Sequence, residues 1–208
     1  MFLNLANMVD RTTSLGPGIR AVLWVQGCHL RCPGCISPGW IPFKPAMRLS
    51  PEQIIEKLSL DEITGLTFSG GEPMEQAKGL AEVIRMARQE RDLDVICFTG
   101  YRYESLLKRQ AESGVPRLLQ QIDVLIDGPY VRERNNSIGL RGSTNQRVIH
   151  LTDRLSGFAL ETQVRQIEFK IEDGSFTMVG IPTPGVASAL ADFFQKDVRP
   201  KAYDYERA

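Results

Sequence analysis

Three cysteines share one short segment of the chain, with the spacing Cys28-x-x-x-Cys32-x-x-Cys35. The sequence holds four cysteines in 208 residues, too few for a disulfide framework, so this clustering indicates metal chemistry in a reducing compartment. Thiolates are the usual ligands of iron–sulfur clusters, and three of them leave one iron without a protein ligand. The spacing therefore predicts a cluster with one coordination position open to another molecule.

A structural zinc site is the alternative use of these thiols. Zinc in such a site takes four ligands in a closed tetrahedron, so the fourth would have to be His29, His150 or Cys97. His29 adjoins Cys28 and is poorly placed for the same ion, whereas Cys97 lies in an apolar run typical of a strand core. Structural zinc sites usually pair two Cys-x-x-Cys knuckles and this chain has one, so the spacing favours iron and sulfur.

A second segment could contribute to a binding site. It is Gly70-Gly71-Glu72-Pro73, and it follows a run of strand-forming residues. By itself it is typical of a turn between a strand and a helix, with Glu72 near the helix start, where negative charge is favourable. Ligand sites in parallel α/β folds gather at the carboxyl ends of strands, and the cysteines also follow a strand. The two segments together predict one binding site.

Strand and helix patterns alternate between residues 20 and 152, which indicates a parallel sheet with helical crossovers. A capping box at Ser50 to Gln53 with Pro51 at the first helical position predicts a helix of about ten residues. A second helix repeats Leu80, Val83, Ile84 and Ala87 at helical spacing, and a third is predicted over 102–112. The predicted strands are 20–26, 65–73, 93–100, 122–129 and 147–152.

The pattern changes after residue 129. A loop rich in Gly, Asn and Arg precedes the strand at 147–152, and a loop of this kind is functional or mobile. Two alternating strands around a turn at Glu172 to Ser175 predict a hairpin, and 184–196 predicts a short helix. We divide the chain into a domain at 1–152 and a C-terminal extension at 153–208.

Charge and targeting patterns narrow the classes of partner. Basic and acidic residues number 25 each, so no global field draws the protein to nucleic acid or to an anionic membrane. The amino terminus lacks a basic region and a long apolar stretch, and no run approaches a membrane span. The sequence predicts a soluble, cytoplasmic protein with no membrane or nucleic-acid partner.

The cysteine loop after the first predicted strand, followed by Gly70 to Pro73 after the second, resembles the radical S-adenosylmethionine (SAM) superfamily. Further segments resemble one branch, the activating proteins of anaerobic ribonucleotide reductase, over about residues 15 to 151. These segments are Gly16-Pro17-Gly18-Ile19-Arg20, Cys32-Pro33-Gly34-Cys35, Phe98-Thr99-Gly100-Tyr101, Asp123-Val124-Leu125-Ile126-Asp127-Gly128 and Arg141-Gly142-Ser143-Thr144-Asn145-Gln146. The extension departs from the compact members of that family, which end soon after the last segment.

The resemblance implies an α/β fold, an incomplete (β/α)6 barrel of about six strands. The predicted hairpin and helix are a small appendage to it. It implies a [4Fe-4S] cluster held by Cys28, Cys32 and Cys35, with SAM chelating the open iron through its methionine end. The cluster passes an electron that breaks the sulfonium C–S bond, so the cofactor carries the difficult chemistry. An external one-electron donor such as flavodoxin or ferredoxin is implied as well.

Six further residues are assigned to the SAM site by the same resemblance. Gly70 and Gly71 would give the methionine end close access to backbone, and Glu72 would bind its ammonium group or a neighbouring backbone amide. Gly34 stands where many radical SAM proteins carry an aromatic residue against adenine. Thr99 would offer a hydroxyl to SAM or simply end its strand, and Asp127 would orient SAM or a cation, or cap the next loop.

The sequence leaves three alternative functions open. The first is hydrogen abstraction from glycine in an anaerobic ribonucleotide reductase-like protein, which installs a glycyl radical there. The second keeps the SAM chemistry but acts on a peptide, a nucleotide or another small molecule, with the C-terminal hairpin shaping or recognising it. The third is a non-catalytic iron–sulfur electron carrier, which would have no need of the Gly70 to Pro73 segment.

Overall fold

The computed structural model describes residues 1–172 and 175–197, and these ranges hold nine strands and five helices. The strands are β1 (Leu3–Thr12), β2 (Arg20–Val25), β3 (Met47–Leu49), β4 (Gly65–Gly70), β5 (Asp94–Thr99), β6 (Val124–Asp127), β7 (Arg147–His150), β8 (Ile167–Glu172) and β9 (Ser175–Gly180). The helices are α1 (Pro51–Lys57), α2 (Ala77–Glu90), α3 (Tyr103–Leu106), α4 (Val115–Leu119) and α5 (Pro184–Asp197). Short 3-10 turns lie at Pro38–Trp40, Leu60–Glu62, Pro73–Gln76, Ala111–Ser113 and Arg132–Arg134.

Seven strands form one mixed sheet in the order β3-β1-β2-β4-β5-β6-β7. The four central strands β2, β4, β5 and β6 are parallel, so their carboxyl ends meet at one edge, as the alternating sequence pattern predicts. The flanking strands β1, β3 and β7 run antiparallel to their neighbours. The chain is thus a mixed α/β protein with a large sheet, and its topology departs from six βα repeats at both edges.

Local sequence explains where α1 begins and which face of α2 is buried. The Ser50 side chain accepts from the Gln53 amide at 3.3 Å and the Gln53 side chain accepts from the Ser50 amide at 2.9 Å, which confirms the capping box. The helix α1 is shorter than predicted because Leu58 is already extended. In α2 the predicted apolar face is confirmed, since Leu80 and Ile84 are fully buried.

The predicted helix at 102–112 is wrong in its extent. Only Tyr103–Leu106 is helical, followed by a 3-10 turn, and α4 then begins at Val115. Gly114, with φ of +77°, ends the turn in the left-handed region, and Pro116 starts the next helix without needing an amide partner. These two residues divide the stretch into two short helices.

The amino-terminal strand β1 was missed by the sequence pattern. It pairs with β2, but the register shifts between Leu5 and Asn7 and again between Val9 and Thr12. Each irregularity moves the following side chains to the other face of the sheet, which destroys the period of two that identifies a strand. A strand with two register shifts therefore looks irregular in sequence even when it is ten residues long.

Two hydrophobic cores lie on opposite faces of the sheet. The first packs α1, α2 and α4 against one face. The second includes Val9, Trp24 and Ile126 from the sheet together with Leu155 and Leu160 from the C-terminal extension. The extension therefore covers the face that the crossover helices leave open.

The hairpin of the extension is confirmed in the described residues: β8 and β9 pair antiparallel from Ile167 opposite Gly180 to Glu172 opposite Ser175. The predicted turn lies partly outside the described residues, as does the end of the extension after 197. The helix predicted at 184–196 is present as α5. Within the described ranges, no helix has the length and apolar character needed to cross a membrane.

Candidate active site

A pocket of about 170 Å³ opens at the carboxyl ends of the parallel strands. All three clustered cysteines line it, and so do Gly70, Gly71, Glu72 and Thr99. The two segments that the sequence singled out, more than thirty residues apart, therefore meet in one cavity. The placement follows from β2 and β4 being parallel neighbours, with Val25 opposite Gly70.

The cysteine loop is attached to the segment that follows it. The Gly27 amide donates to the Trp40 carbonyl at 2.8 Å and the Cys28 amide donates to the Ile41 carbonyl at 3.0 Å. A turn between Cys32 and Cys35 is closed by the Cys35 amide at 3.1 Å. All three cysteines are free thiols and partly exposed. Burial raises the pKa of the Cys28 and Cys35 thiols, so their thiolate form needs a bound cation to stabilise it.

The candidate fourth ligands of a zinc site lie elsewhere. Cys97 is fully buried in the first core, and burial raises its pKa well above the usual value. His29 is exposed, with its Nδ1 3.2 Å from Glu75 Oε1 and its ring tilted against Phe43, and His150 is exposed at the end of β7. Across the described ranges, no three His, Cys, Asp or Glu side chains converge closely enough for a single ion. Three partly exposed thiols on one pocket fit a cluster in which each binds a separate iron.

Gly70 and Gly71 hold two strands close together. Gly70 has φ of +103°, and a Cβ there would lie 2.5 Å from the Val25 amide nitrogen. A Cβ on Gly71 would lie 2.2 Å from the Gly27 carbonyl oxygen, and the Gly71 amide donates to Val25 O at 2.7 Å. The direction that a side chain would take is thus filled by protein backbone. Close packing against the cysteine loop is sufficient reason for glycine at 71.

Glu72 is buried and fully engaged within the protein. Its Oε1 accepts from the Met74 amide at 3.0 Å and from the Thr99 hydroxyl at 2.8 Å, and its Oε2 accepts from the Gly100 amide at 2.8 Å. Burial raises its pKa to about 7, while these three donors favour the charged form. The sequence predicted that Glu72 binds either the ammonium group of SAM or a neighbouring backbone amide, and the structure shows contacts with backbone amides. Glu72 ties the turn after β4 to the end of β5.

Because burial raises the pKa of Glu72 to about 7, the folded protein holds this proton more tightly than the unfolded chain does, so wild type should lose stability as the pH rises through that value. Glu72→Gln cannot ionise and is expected to lack this part of the pH dependence. Urea unfolding of the metal-free protein at several pH values on either side of the pKa measures the difference. Glu56→Gln is the control, since Glu56 is exposed, and it should follow wild type. The same pH dependence in wild type and Glu72→Gln would show that the pKa of the buried carboxyl is not raised.

The other predicted SAM residues lie in different settings. Thr99 lines the pocket, but its hydroxyl is used by Glu72 and by the Tyr101 amide at 3.2 Å. Gly34 is exposed outside the pocket lining with φ of +69°, and a Cβ there would lie 3.2 Å from the Arg132 side chain. A side chain at position 34 would therefore meet Arg132 first.

Asp127 is fully buried at the end of β6 and is not part of the pocket lining. Arg147 Nε donates to its Oδ1 at 2.8 Å, and Arg102 forms a second ion pair with it. Its Oδ2 accepts from the Tyr103 amide, at the start of α3, at 2.8 Å. The carboxylate caps the next element, the third of its predicted roles, and its arginine partners occupy the position that a cation would take.

The sequence singled out the loop before β7 as functional or mobile, but it did not show that this loop closes the far side of the pocket. Gln146 accepts from the Gly142 amide at 2.8 Å and donates to the Gly128 carbonyl at 2.8 Å, so one side chain ties the two ends of this loop. Ser143 accepts from the Val131 amide at 3.1 Å. The family resemblance of the Arg141 to Gln146 segment was the sequence signal for this loop. In the structure the segment holds Gly128, Gly142 and Gln146 in the lining of the pocket.

Trp24 and Trp40 form an aromatic wall of the pocket, with ring centroids 5.8 Å apart. They are the two tryptophans of the chain. Because an iron–sulfur cluster absorbs broadly where tryptophan emits, cluster assembly is expected to quench most of the tryptophan fluorescence. Anaerobic titration of iron and sulfide, monitored by emission, measures this, and Trp40→Phe should leave a Trp24 signal that is also quenched. Unchanged emission on full iron loading would place the cluster elsewhere.

Comparison with known proteins identifies the family. The family described as 4Fe-4S single cluster domain matches residues 14–149, which decides between iron–sulfur and zinc. An anaerobic ribonucleoside-triphosphate reductase-activating protein of Escherichia coli (strain K12) is 33% identical over 149 residues, covering 65% of this chain and 91% of that protein. Its namesake from Haemophilus influenzae is 36% identical over 144 residues, covering 65% and 89%.

A more distant relative broadens the group. A pyruvate formate-lyase-activating enzyme of Clostridium pasteurianum is 34% identical over 102 residues, covering 45% of this chain and 43% of that enzyme. The family match ends at 149, so the C-terminal extension lies beyond it. The match includes the cysteine loop, Gly70 to Pro73 and every pocket residue except Gly180 and Ile181. The chain therefore belongs to the 4Fe-4S single cluster domain family, in the radical SAM branch that contains these activating proteins.

Proposed function

We propose that this protein uses a [4Fe-4S] cluster and SAM to install a glycyl radical on an anaerobic ribonucleotide reductase-like protein. One observation carries the proposal: the three cysteines and the Gly70 to Glu72 turn line a single pocket. The relatives named as reductase-activating proteins match over about nine tenths of their own length, which supports the choice of partner.

Cys28, Cys32 and Cys35 would hold the cluster, and the backbone at Gly70 and Gly71 would bind the methionine end of SAM. When bound, these groups supply the electron and the 5′-deoxyadenosyl group that abstracts hydrogen. Glu72 keeps the two backbone segments at fixed separation by accepting from the Gly100 amide. The apolar wall of the pocket limits the access of water to a reactive radical.

Two alternatives use the same pocket differently. A radical SAM enzyme acting on a peptide, nucleotide or small molecule would need the same ligands for cluster and SAM. An electron carrier would need the cysteines alone and would have no use for the pocket that they share with Gly70 and Glu72. The branch to which the chain belongs supports the activating function over both.

Further parts of the proposal concern partners and architecture. Arg31, Pro33 and Gly34 expose one edge of the cysteine loop, which suits a small one-electron donor such as flavodoxin or ferredoxin. We propose a cytoplasmic location, where thiols stay reduced. The four parallel strands with the pocket at their carboxyl ends support an incomplete radical SAM barrel at 1–152, with 153–208 as an extension.

The test is anaerobic reconstitution followed by assay. About four irons and four sulfides should bind per chain, and reduction with dithionite should release 5′-deoxyadenosine from SAM. Addition of an anaerobic ribonucleotide reductase from the same cell should give a glycyl radical signal in electron paramagnetic resonance. A loaded protein that forms no 5′-deoxyadenosine would refute the enzyme, and cleavage with no radical on the reductase would refute the partner.

A further inference from the structure

The C-terminal extension reaches the pocket although it lies outside the family match. Gly180 and Ile181 line the same cavity as the cysteines, about thirty residues after the match ends. Ile181 is 9% exposed and belongs to the second core, in which Trp24 is buried and Phe98 packs at the edge. One wall of the pocket is therefore supplied by the extension.

The first anchor of the extension holds it against the loop before β7. The Leu140 amide donates to the Leu160 carbonyl at 2.6 Å, and the Gly139 amide donates to the Gln163 carbonyl at 2.9 Å. Arg165 Nη1 then donates to Asn135 Oδ1 at 2.7 Å. These bonds fix the extension at the β6 and β7 side of the sheet.

The second anchor holds the hairpin at the opposite side, against the end of β1. The Thr13 amide and hydroxyl donate to Glu168 Oε1 at 2.7 and 2.8 Å, and the buried Ser14 hydroxyl donates to the Val179 carbonyl at 3.1 Å. Val179 is fully buried in the second core. The extension thus crosses the open face of the sheet from one side to the other.

Gly180 directs the chain from the hairpin into the pocket. Its φ is +127°, and a Cβ at this position would lie 2.5 Å from the Gln166 carbonyl oxygen. A glycine is therefore required for β9 to leave its partner strand so close to Gln166. The next residue, Ile181, is held in the wall by the anchors on both sides.

The chemistry of the lining restricts what can enter. Among the described residues that line the pocket, Glu72 is the sole Lys, Arg, Asp or Glu side chain, and its oxygens already accept three hydrogen bonds. Near Ile181 the wall is formed by Leu15, Trp24 and Phe98. A phosphate or a charged side chain held against these apolar side chains would lose its hydration with no counter-charge to replace it, whereas the charged methionine end of SAM is proposed to bind at Gly70 and Gly71.

We propose that Ile181 is a specificity-determining residue, and that the wall it forms admits an uncharged peptide segment around a glycine and rejects nucleotides and charged peptides. This proposal rests on the proposed function and names the substrate class of the same site. Glycine suits such a wall because it brings no side chain. The extension would thus narrow an opening that the matched residues 14–149 leave wider.

The experiment uses the reconstituted protein, SAM, dithionite and blocked peptides with a central glycine deuterated at Cα. One electron from dithionite breaks the C5′–S bond of SAM and releases methionine. The deuterium then moves from glycine Cα to C5′, so deuterated 5′-deoxyadenosine counts productive encounters. Fluorescence anisotropy of the same peptides carrying a fluorescent label measures binding independently of turnover.

The peptides carry alanine or aspartate beside the glycine, and CTP is tested as a competitor. We expect wild type to prefer the alanine peptide at least tenfold in both readouts and to ignore CTP. Ile181→Trp should lower the deuterated fraction and the peptide affinity roughly tenfold, and Ile181→Val should change both less than threefold. Ile171→Trp is the matched control, because Ile171 belongs to the same hairpin but is 75% exposed.

Different outcomes test the proposed function, the substrate class and the role of Ile181. Wild type that forms no 5′-deoxyadenosine would refute the proposed function itself. Cleavage of SAM without deuterium from any peptide, or equal use of charged and uncharged peptides, would overturn the substrate class. Equal values for Ile181→Trp and Ile171→Trp would overturn the role of Ile181. If Ile181→Trp fails to fold, Ile181→Phe replaces it as a smaller enlargement, and a peptide affinity equal to wild type counts against the proposal.

Discussion

Cys32→Ala is expected to abolish SAM cleavage and to lose nearly all bound iron, which is the largest effect expected from a single substitution in this chain. Cys32 lines the pocket between the other two cysteines, and its thiol is one of the three available ligands. Losing one ligand of three leaves a second iron without protein attachment. Iron and sulfide analysis after anaerobic reconstitution, with 5′-deoxyadenosine yield, measures the loss.

Cys97→Ala is the matched control for this experiment. Cys97 is fully buried in the first core, so the substitution removes packing but no ligand. We expect full iron content with a stability loss of about 1 kcal/mol. Loss of the cluster from a folded Cys97→Ala protein would show that the buried thiol is a ligand, and a retained cluster in Cys32→Ala would remove Cys32 from the site.

The second large effect is expected from Gly71→Ala. A single methyl group there would lie 2.2 Å from the Gly27 carbonyl oxygen, so either β4 or the cysteine loop must move. We expect a cost of about 3 kcal/mol or more and a clear fall in iron content, because Cys28 directly follows Gly27. The substitution is thus expected to damage the cluster site together with SAM binding.

Gly39→Ala is the control for the added methyl group, since nothing lies within 4 Å of a Cβ at that position. It should keep the iron content and the urea midpoint of wild type. Iron content equal to wild type in Gly71→Ala, together with weak SAM binding, would mean that glycine is needed there for the cofactor alone. Normal behaviour in both respects would contradict the close contact with Gly27.

The sequence predicted the features that have a local cause. The capping box at Ser50, the apolar face of α2 and the strands β2, β4, β5 and β6 are encoded within a few residues each. The shared location of the cysteines and the Gly70 segment also followed, because both come directly after parallel strands. The spacing of residues along the sequence was sufficient to predict features that depend on a single helix or strand.

Features with distant partners were either predicted only as one of several alternatives or missed. Glu72 accepts a hydrogen bond from Gly100, 28 residues away. Its role in connecting the turn after β4 to the end of β5 therefore depends on how these two strands align. Asp127 meets Arg147 across the β6 and β7 pair and caps the start of α3, which favours capping among the roles predicted for it. Ile181 reaches the pocket only because two anchors far apart in sequence hold the extension. Polar residues at strand ends therefore need the tertiary structure before a role can be assigned.

The anchoring of the hairpin to β1 has a consequence for the order of events during synthesis. Thr13 and Glu168 are 155 residues apart, and Asn7 and Thr177 are 170 apart, so the ribosome releases the last partner long after the first has emerged. Contacts of such separation form late, because closing a long loop costs entropy before any contact is gained. The nascent chain therefore exposes its cysteine loop while the last wall is still missing, and iron and sulfide can be delivered to a cavity that later becomes narrower.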